Sequence, residues 1–87
     1  MHLNHLRHLV ALAEHQSFRK AAEALFLTQP ALSRSIQALE QELGVKLVDR
    51  DGKRNTLTAY GALVAERAKR IVLEVKELKR GVELLQA

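Results

Sequence analysis

Gln29, Ser33 and Gln37 recur every four residues, with Arg34 next to Ser33, interleaved with Leu32, Ile36, Leu39 and Leu43 at spacings of 4, 3 and 4. On a helix the apolar residues all fall within about 40° of Leu32, so the polar set, with Pro30 and Gln41, makes a separate face. Its side chains suit one chemistry in particular. Arg grips guanine through two acceptors, and Gln does the same with adenine. Ser is short enough to let the helix backbone come close, and it bonds to phosphate or base. The first residues of the helix add free backbone amides that favour an anion. No acid stands at the centre of the face, where it would repel phosphates. An ordinary amphipathic helix with a wet outer side is the competing reading. The setting favours double-stranded DNA: a tight connection from Leu25 to Gln29 precedes the face, and a basic segment follows it. Glu40, at the edge, is a poor DNA contact and is expected to pair with a cation such as Arg50 or to face solvent.

The basic segment holds Lys46, Arg50, Lys53 and Arg54 around Asp51-Gly52. Two short extended runs about Asp-Gly predict a hairpin with Lys53 and Arg54 at its tip. Such a tip can reach a minor groove, where Arg is favoured, or an adjacent phosphate strand. Asp49 and Asp51 dilute the charge, and a solvated turn is the alternative. Lys53 and Arg54 are expected to touch DNA, with Asp51 serving the turn.

Other chemistries find little support. His2, His5 and His8 lie three apart, a spacing that can hold a metal only with a carboxylate or further ligands. None is evident, so they are read as solvent-exposed and no metal or other cofactor is expected. His15 has no evident partner. Paired acids in a cleft-like arrangement, a Gly-rich phosphate loop and a nucleophile beside a base are all missing, so the chain is not expected to be an enzyme.

The elements that must position these groups follow from periodicity. Leu3, Leu6, Leu9, Val10 and Ala13 mark a helix over roughly residues 3–15. Ser17 suits the N-cap of a second run, Phe18, Ala21, Ala22 and Leu25. Phe26-Leu27-Thr28 is a turn. The third helix opens at Thr28-Gln29-Pro30, where Pro is tolerated, and Gly44 ends it. Thr58 can cap a final helix on the order of 40 Å long. With 87 residues there is room for one small domain, and 47% apolar content with only Tyr60, Phe18 and Phe26 aromatic predicts an aliphatic core. The net charge of +4 permits a polyanionic partner without establishing one. There are no cysteines, which excludes disulfides and thiolate chemistry. Neither a membrane-length apolar run nor a signal pattern is present, so the protein is read as soluble and cytoplasmic. The predicted fold is mainly α: a winged helix-turn-helix with a small β-hairpin wing and a long C-terminal dimerisation helix.

The run Ser17-Phe18-x-x-Ala21-Ala22-x-x-Leu25, then Thr28-Gln29-Pro30-Ala31-Leu32-Ser33-Arg34-x-Ile36, then Leu39-Glu40-x-x-Leu43-Gly44 resembles the N-terminal domain of LysR-type transcriptional regulators. Leu47-Val48-x-Arg50 and Leu57-Thr58-x-x-Gly61 continue the likeness over nearly the whole chain. The resemblance implies a third helix in the major groove, with contacts at Gln29, Pro30, Ser33, Arg34 and Gln37. It also implies a wing near the minor groove, with contacts near Lys53 and Arg54. The candidate DNA-contacting set is Ser17, Thr28, Gln29, Pro30, Ser33, Arg34, Gln37, Arg50, Lys53 and Arg54. Family sites are imperfect inverted repeats, commonly with a T and an A bounding a fixed interval. The chain departs from the family at Val48, where Phe is usual, and at Phe26, where a polar residue is common. Phe26 is either a surface aromatic or packed under the turn. Family members also carry a second, longer domain that binds a small-molecule effector. The chain is therefore expected to be an excised DNA-binding fragment whose effector acts only through a domain missing here.

In the last helix Val64, Ala68, Ile71, Val75, Leu78, Val82 and Leu85 are spaced 4, 3, 4, 3, 4 and 3. Such a narrow heptad seam with charged flanks suits a partner helix, and a homodimer would place two recognition helices on one DNA. The early part, around Tyr60, Leu63 and Val64, is expected to lie on its own domain. Residues 1–58 are thus assigned to the winged helix-turn-helix and 59–87 to the dimerisation helix. The alternative function is a protein-interaction module that works through the long helix.

Overall fold

Three of the four helices among the described residues begin where a side chain can accept from a free amide. The computed structural model describes residues 1–50 and 56–87. It contains α1 (Leu3–His15), α2 (Phe18–Leu25), α3 (Gln29–Leu43), β1 (Val48–Asp49), β2 (Thr56–Leu57) and α4 (Ala59–Gln86). Ser17 Oγ accepts from the Lys20 amide at 3.2 Å, Thr28 Oγ1 from Ala31 at 3.2 Å and Thr58 Oγ1 from Gly61 at 3.1 Å. These caps satisfy amides that the first turns leave unpaired. At the other ends Gln16, Phe26 and Gly44 turn left-handed, with φ of 55°, 58° and 72°. The C-cap bonds then return to α-helical carbonyls, as when the Leu27 amide donates to Ala22 O at 2.9 Å. Only residues 26–28 separate α2 from α3, so the two helices are held at a tight corner.

The core is aliphatic. Leu9, Leu12, Leu32, Ile36, Leu39 and Leu47 are almost wholly buried, with Phe18, Ala21, Ala22 and Val48 around them. α1 runs through the middle and packs on α2, α3 and α4. Leu43, the last member of the predicted stripe, overhangs the core and is exposed. Phe26 is a surface aromatic, 96% exposed, rather than packed under the turn.

The hairpin is shorter than the extended runs suggested. β1 and β2 pair antiparallel, with Val48 opposite Leu57 and Asp49 opposite Thr56. The expected turn at Asp51-Gly52, and Lys53 and Arg54 with it, lies outside the described residues. The base of the hairpin is tied at two points. The Thr58 hydroxyl donates to Lys46 O at 2.6 Å, and the Thr58 amide donates to Leu47 O at 3.0 Å.

Glu40 corrects an expectation. It neither pairs with Arg50 nor faces solvent: it is buried, and its carboxylate accepts from the backbone amides of Leu47 and Val48 at 2.8 and 3.4 Å. A buried charge is tolerable when several donors point at it.

α4 docks on the rest of the chain through Gly61, Ala65 and Ala68, with Val64 and Val72 packed against the core edge. Tyr60 and Leu63, expected on this interface, are instead 57% and 54% exposed. They sit on a different side of the helix from the small residues, which alone let α4 approach closely. The core therefore continues past residue 58. Ala68, placed in the seam from its spacing, is covered by its own chain. The rest of α4 projects from the core, and the molecule measures 51 × 26 × 18 Å.

Candidate nucleic-acid interface

α3 presents its polar face because its other face is spent on the core. Leu32, Ile36 and Leu39 are sealed inside, while Gln29, Pro30, Arg34, Gln37 and Gln41 are exposed and Ser33 is half-buried. Rotation of α3 would expose three large aliphatic side chains, at a cost of about 1.5–3 kcal/mol each. The polar residues are thereby held in a fixed orientation.

Arg50, after β1, folds back onto this face. Its Nη1 donates to Ser33 Oγ at 2.6 Å, and its guanidinium carbon lies 5.2 Å from the centre of the Phe18 ring. Phe18, Gln29, Pro30, Ser33 and Arg50 line one shallow concavity. The sequence-predicted residues Gln29, Pro30, Ser33 and Arg50 are thus brought together, with Arg34 and Gln37 further along the same helix. Ser17 and Thr28 each spend an acceptor on a helix cap, which leaves the hydroxyl proton free to donate. Lys53 and Arg54 lie outside the described residues.

A second concavity lies between α1 and α3, lined by Asn4, His5, His8, Leu27, Ala31, Arg34 and Ser35. It corrects the reading of His5 and His8 as solvent-exposed, while His2 is exposed as expected. His8 is half-buried, and its Nδ1 lies 2.7 Å from Ser35 Oγ. Burial lowers the His8 pKa below the ordinary 6.5, and the neighbouring His5 adds to the effect. His2 and His5 meet edge to face, 5.2 Å between ring centres. Ser35 had a legible signal, since it adjoins the Leu32–Ile36 stripe on the helical wheel. The ring of Phe18 under Arg50 had none, because those residues lie far apart in the chain.

On α4 the seam positions open to a partner are Ile71, Leu78, Val82 and Leu85, with Val75 half-buried and Val64 packed at the core edge. No helix among the described residues is long and apolar enough to cross a membrane.

Comparison with known proteins agrees with this architecture. Residues 3–62 match the family described as bacterial regulatory helix-turn-helix protein, lysR family. The chain is 54% identical over 83 residues to the SDS degradation transcriptional activation protein of Pseudomonas sp. (strain ATCC 19151), covering 95% of the chain and 27% of that relative. It is 44% identical over 79 residues to the DNA-binding transcriptional dual regulator OxyR of Escherichia coli (strain K12), covering 91% of the chain and 26% of OxyR. It thus spans about a quarter of the length of these relatives. Among solved structures, the BenM DNA-binding domain in complex with catB site 1 DNA superposes with a TM-score of 0.94 at 38% identity, covering 100% of this chain and 97% of that one. With its tight α2–α3 corner, outward polar helix face and short antiparallel wing, the chain belongs to the LysR family of bacterial helix-turn-helix regulators, and it is the DNA-binding domain of such a transcription regulator rather than an enzyme.

Proposed function

We propose that the chain recognises a particular sequence of double-stranded DNA as a homodimer on an imperfect inverted repeat. α3 enters the major groove, and the wing lies near the minor groove. The observation that carries this reading is the outward face of α3: Gln29, Pro30, Arg34 and Gln37 are exposed and Ser33 half-exposed on a helix whose other face is locked in the core. Arg34 and the two glutamines serve as base readers, while Ser17, Thr28, Arg50, Lys53 and Arg54 hold the sugar–phosphate backbone. Contacts of the second kind set register and orientation but carry no sequence. The complex formed by the BenM domain with DNA supports the same mode here.

The exposed apolar stripe Ile71, Leu78, Val82 and Leu85 supports pairing through α4. The division is then a DNA-binding unit over 1–58, onto which the start of α4 docks, and a dimer arm over 59–87. In the whole regulator, which works in the cytoplasm beside the chromosome, a small-molecule effector acts through a further domain. Selection from random DNA would report sequence, symmetry and half-site spacing together. On the selected site, Gln29→Ala and Arg34→Ala should each weaken binding by about tenfold or more at fixed salt, as loss of a bidentate base contact does. Unchanged affinity in both variants sinks the reading.

A further inference from the structure

The concavity beside the reading helix is built from three elements: the start of α2 (Phe18), the first turns of α3 (Gln29, Pro30, Ser33) and the residue after β1 (Arg50). An arginine at a surface ordinarily samples many rotamers and loses that freedom when it grasps a ligand. Arg50 is exposed, yet it is held twice. Ser33 Oγ accepts its Nη1 hydrogen at 2.6 Å, and the Phe18 ring lies under its guanidinium at 5.2 Å. Phe18 is 8% exposed and anchored in the core, so the ring is a fixed platform. Neither hold neutralises the cation, because a hydroxyl is uncharged and a ring face offers only its quadrupole.

The hydroxyl inventory decides what Ser33 can still do. Its oxygen has two lone pairs and one hydrogen. Arg50 takes a lone pair, and the O–H remains to donate. The concavity then offers the remaining guanidinium N–H groups beside the Ser33 O–H. A base amino group, itself a donor, finds a poor partner there. A guanine edge offers two acceptors in one plane, enough for the guanidinium alone, whereas a backbone phosphate carries several acceptor oxygens and can engage the guanidinium and the Ser33 hydroxyl together.

We propose that this concavity seats a single DNA phosphate, held by Arg50 and by the Ser33 hydroxyl, and that Phe18 is a positioning residue that presents Arg50 to it. The inference rests on the operator-binding reading above and refines it: Ser33 serves the backbone, while base discrimination falls to Gln29, Arg34 and Gln37.

The test uses the selected operator with one phosphate at a time replaced by a neutral methylphosphonate. One position per half-site should weaken the unaltered protein by about tenfold and leave Arg50→Ala unaffected, since that variant has already lost the contact. Phe18→Leu keeps apolar bulk and removes the ring face. It should weaken operator binding by about fivefold, but by less than about twofold in an Arg50→Ala background. Equal losses in the two backgrounds would show that Phe18 acts by packing alone and would overturn its assignment. Absence of any phosphate whose neutralisation depends on Arg50 would overturn the site. Should Phe18→Leu fail a thermal-unfolding check, the cycle of Ser33→Ala with Arg50→Ala decides: losses smaller together than summed support the shared phosphate, and additive losses refute it. Failure of the operator-binding reading looks different, because no sequence is then selected and Gln29→Ala and Arg34→Ala have no effect.

Discussion

Gly61 sits where α4 crosses the chain entering the hairpin, and a Cβ placed there would overlap the carbonyl oxygen of Leu47. That carbonyl cannot retreat freely, because it accepts the Thr58 amide. Gly61→Ala should therefore destabilise the fold by about 2–3 kcal/mol, read from urea unfolding. The glycine is visible in the sequence, but the backbone it must clear lies fourteen positions away. His8 gives a second consequence. Burial and His5 depress its pKa below 6.5, so the folded state takes up a proton less readily than the unfolded chain. Its contribution is intact above that pH, is lost as pH falls below it, and levels off below the folded-state pKa. Urea midpoints measured down through that window should fall more steeply for the unaltered protein than for His8→Gln. Superimposable profiles would remove His8 as the cause. The spacing of the histidines on α1 gave no hint of this, since the burying partner, Ser35, comes from α3.

α3 does two jobs through two ends. Its start carries the exposed polar face, and its last turns hold the hairpin through the Glu40 carboxylate, which accepts from Leu47 and Val48. Glu40→Ala leaves these amides without that acceptor. It should cost about 2–3 kcal/mol and raise amide hydrogen exchange at Leu47 and Val48 above the rest of the core. Unchanged exchange there would show that the carboxylate does not hold the hairpin. Viewed along the chain, Glu40 lies between apolar Leu39 and polar Gln41 at the margin of an amphipathic pattern, which is why a solvent or cation role was the natural expectation. Its true partners are backbone groups, which carry no residue-type signature in a sequence. The caps at Ser17, Thr28 and Thr58 are the opposite case. Each bonds an amide three residues ahead, so residue type and position sufficed to find them.

Taken whole, the molecule is a compact core with an arm. Ala68 is the last fully buried residue of α4 and Val72 packs at the core edge, while Leu78, Val82 and Leu85 beyond them are exposed among the described residues. If the arm pairs with a second copy, removal of residues 71–87 should leave a folded monomer by sedimentation, with operator affinity much reduced because two linked readers no longer engage together. A mass unchanged by that truncation would count against the α4 seam. The buried residues of α4, Gly61, Ala65 and Ala68, are kept by such a truncation, which removes Val72 from the core edge, so the fold should survive while pairing is lost.

Helix boundaries, the tight α2–α3 corner, the aliphatic core and the outward polar face of α3 were all legible from residue order. They rest on interactions between residues a few positions apart, and helical periodicity reports these directly. The register of α4 was legible only in part. From sequence the start of the helix is expected to dock through Tyr60, Leu63 and Val64, with one heptad stripe running on as a seam, whereas the helix turns its small residues Gly61, Ala65 and Ala68 inward and its larger apolar residues outward. Which face docks depends on the surface α1 offers, and no window of α4 contains that information. The same holds for Arg50 over Phe18, His8 beside Ser35 and Glu40 beneath the hairpin. Each joins elements distant in sequence, and only the closing of the core brings them within bonding distance.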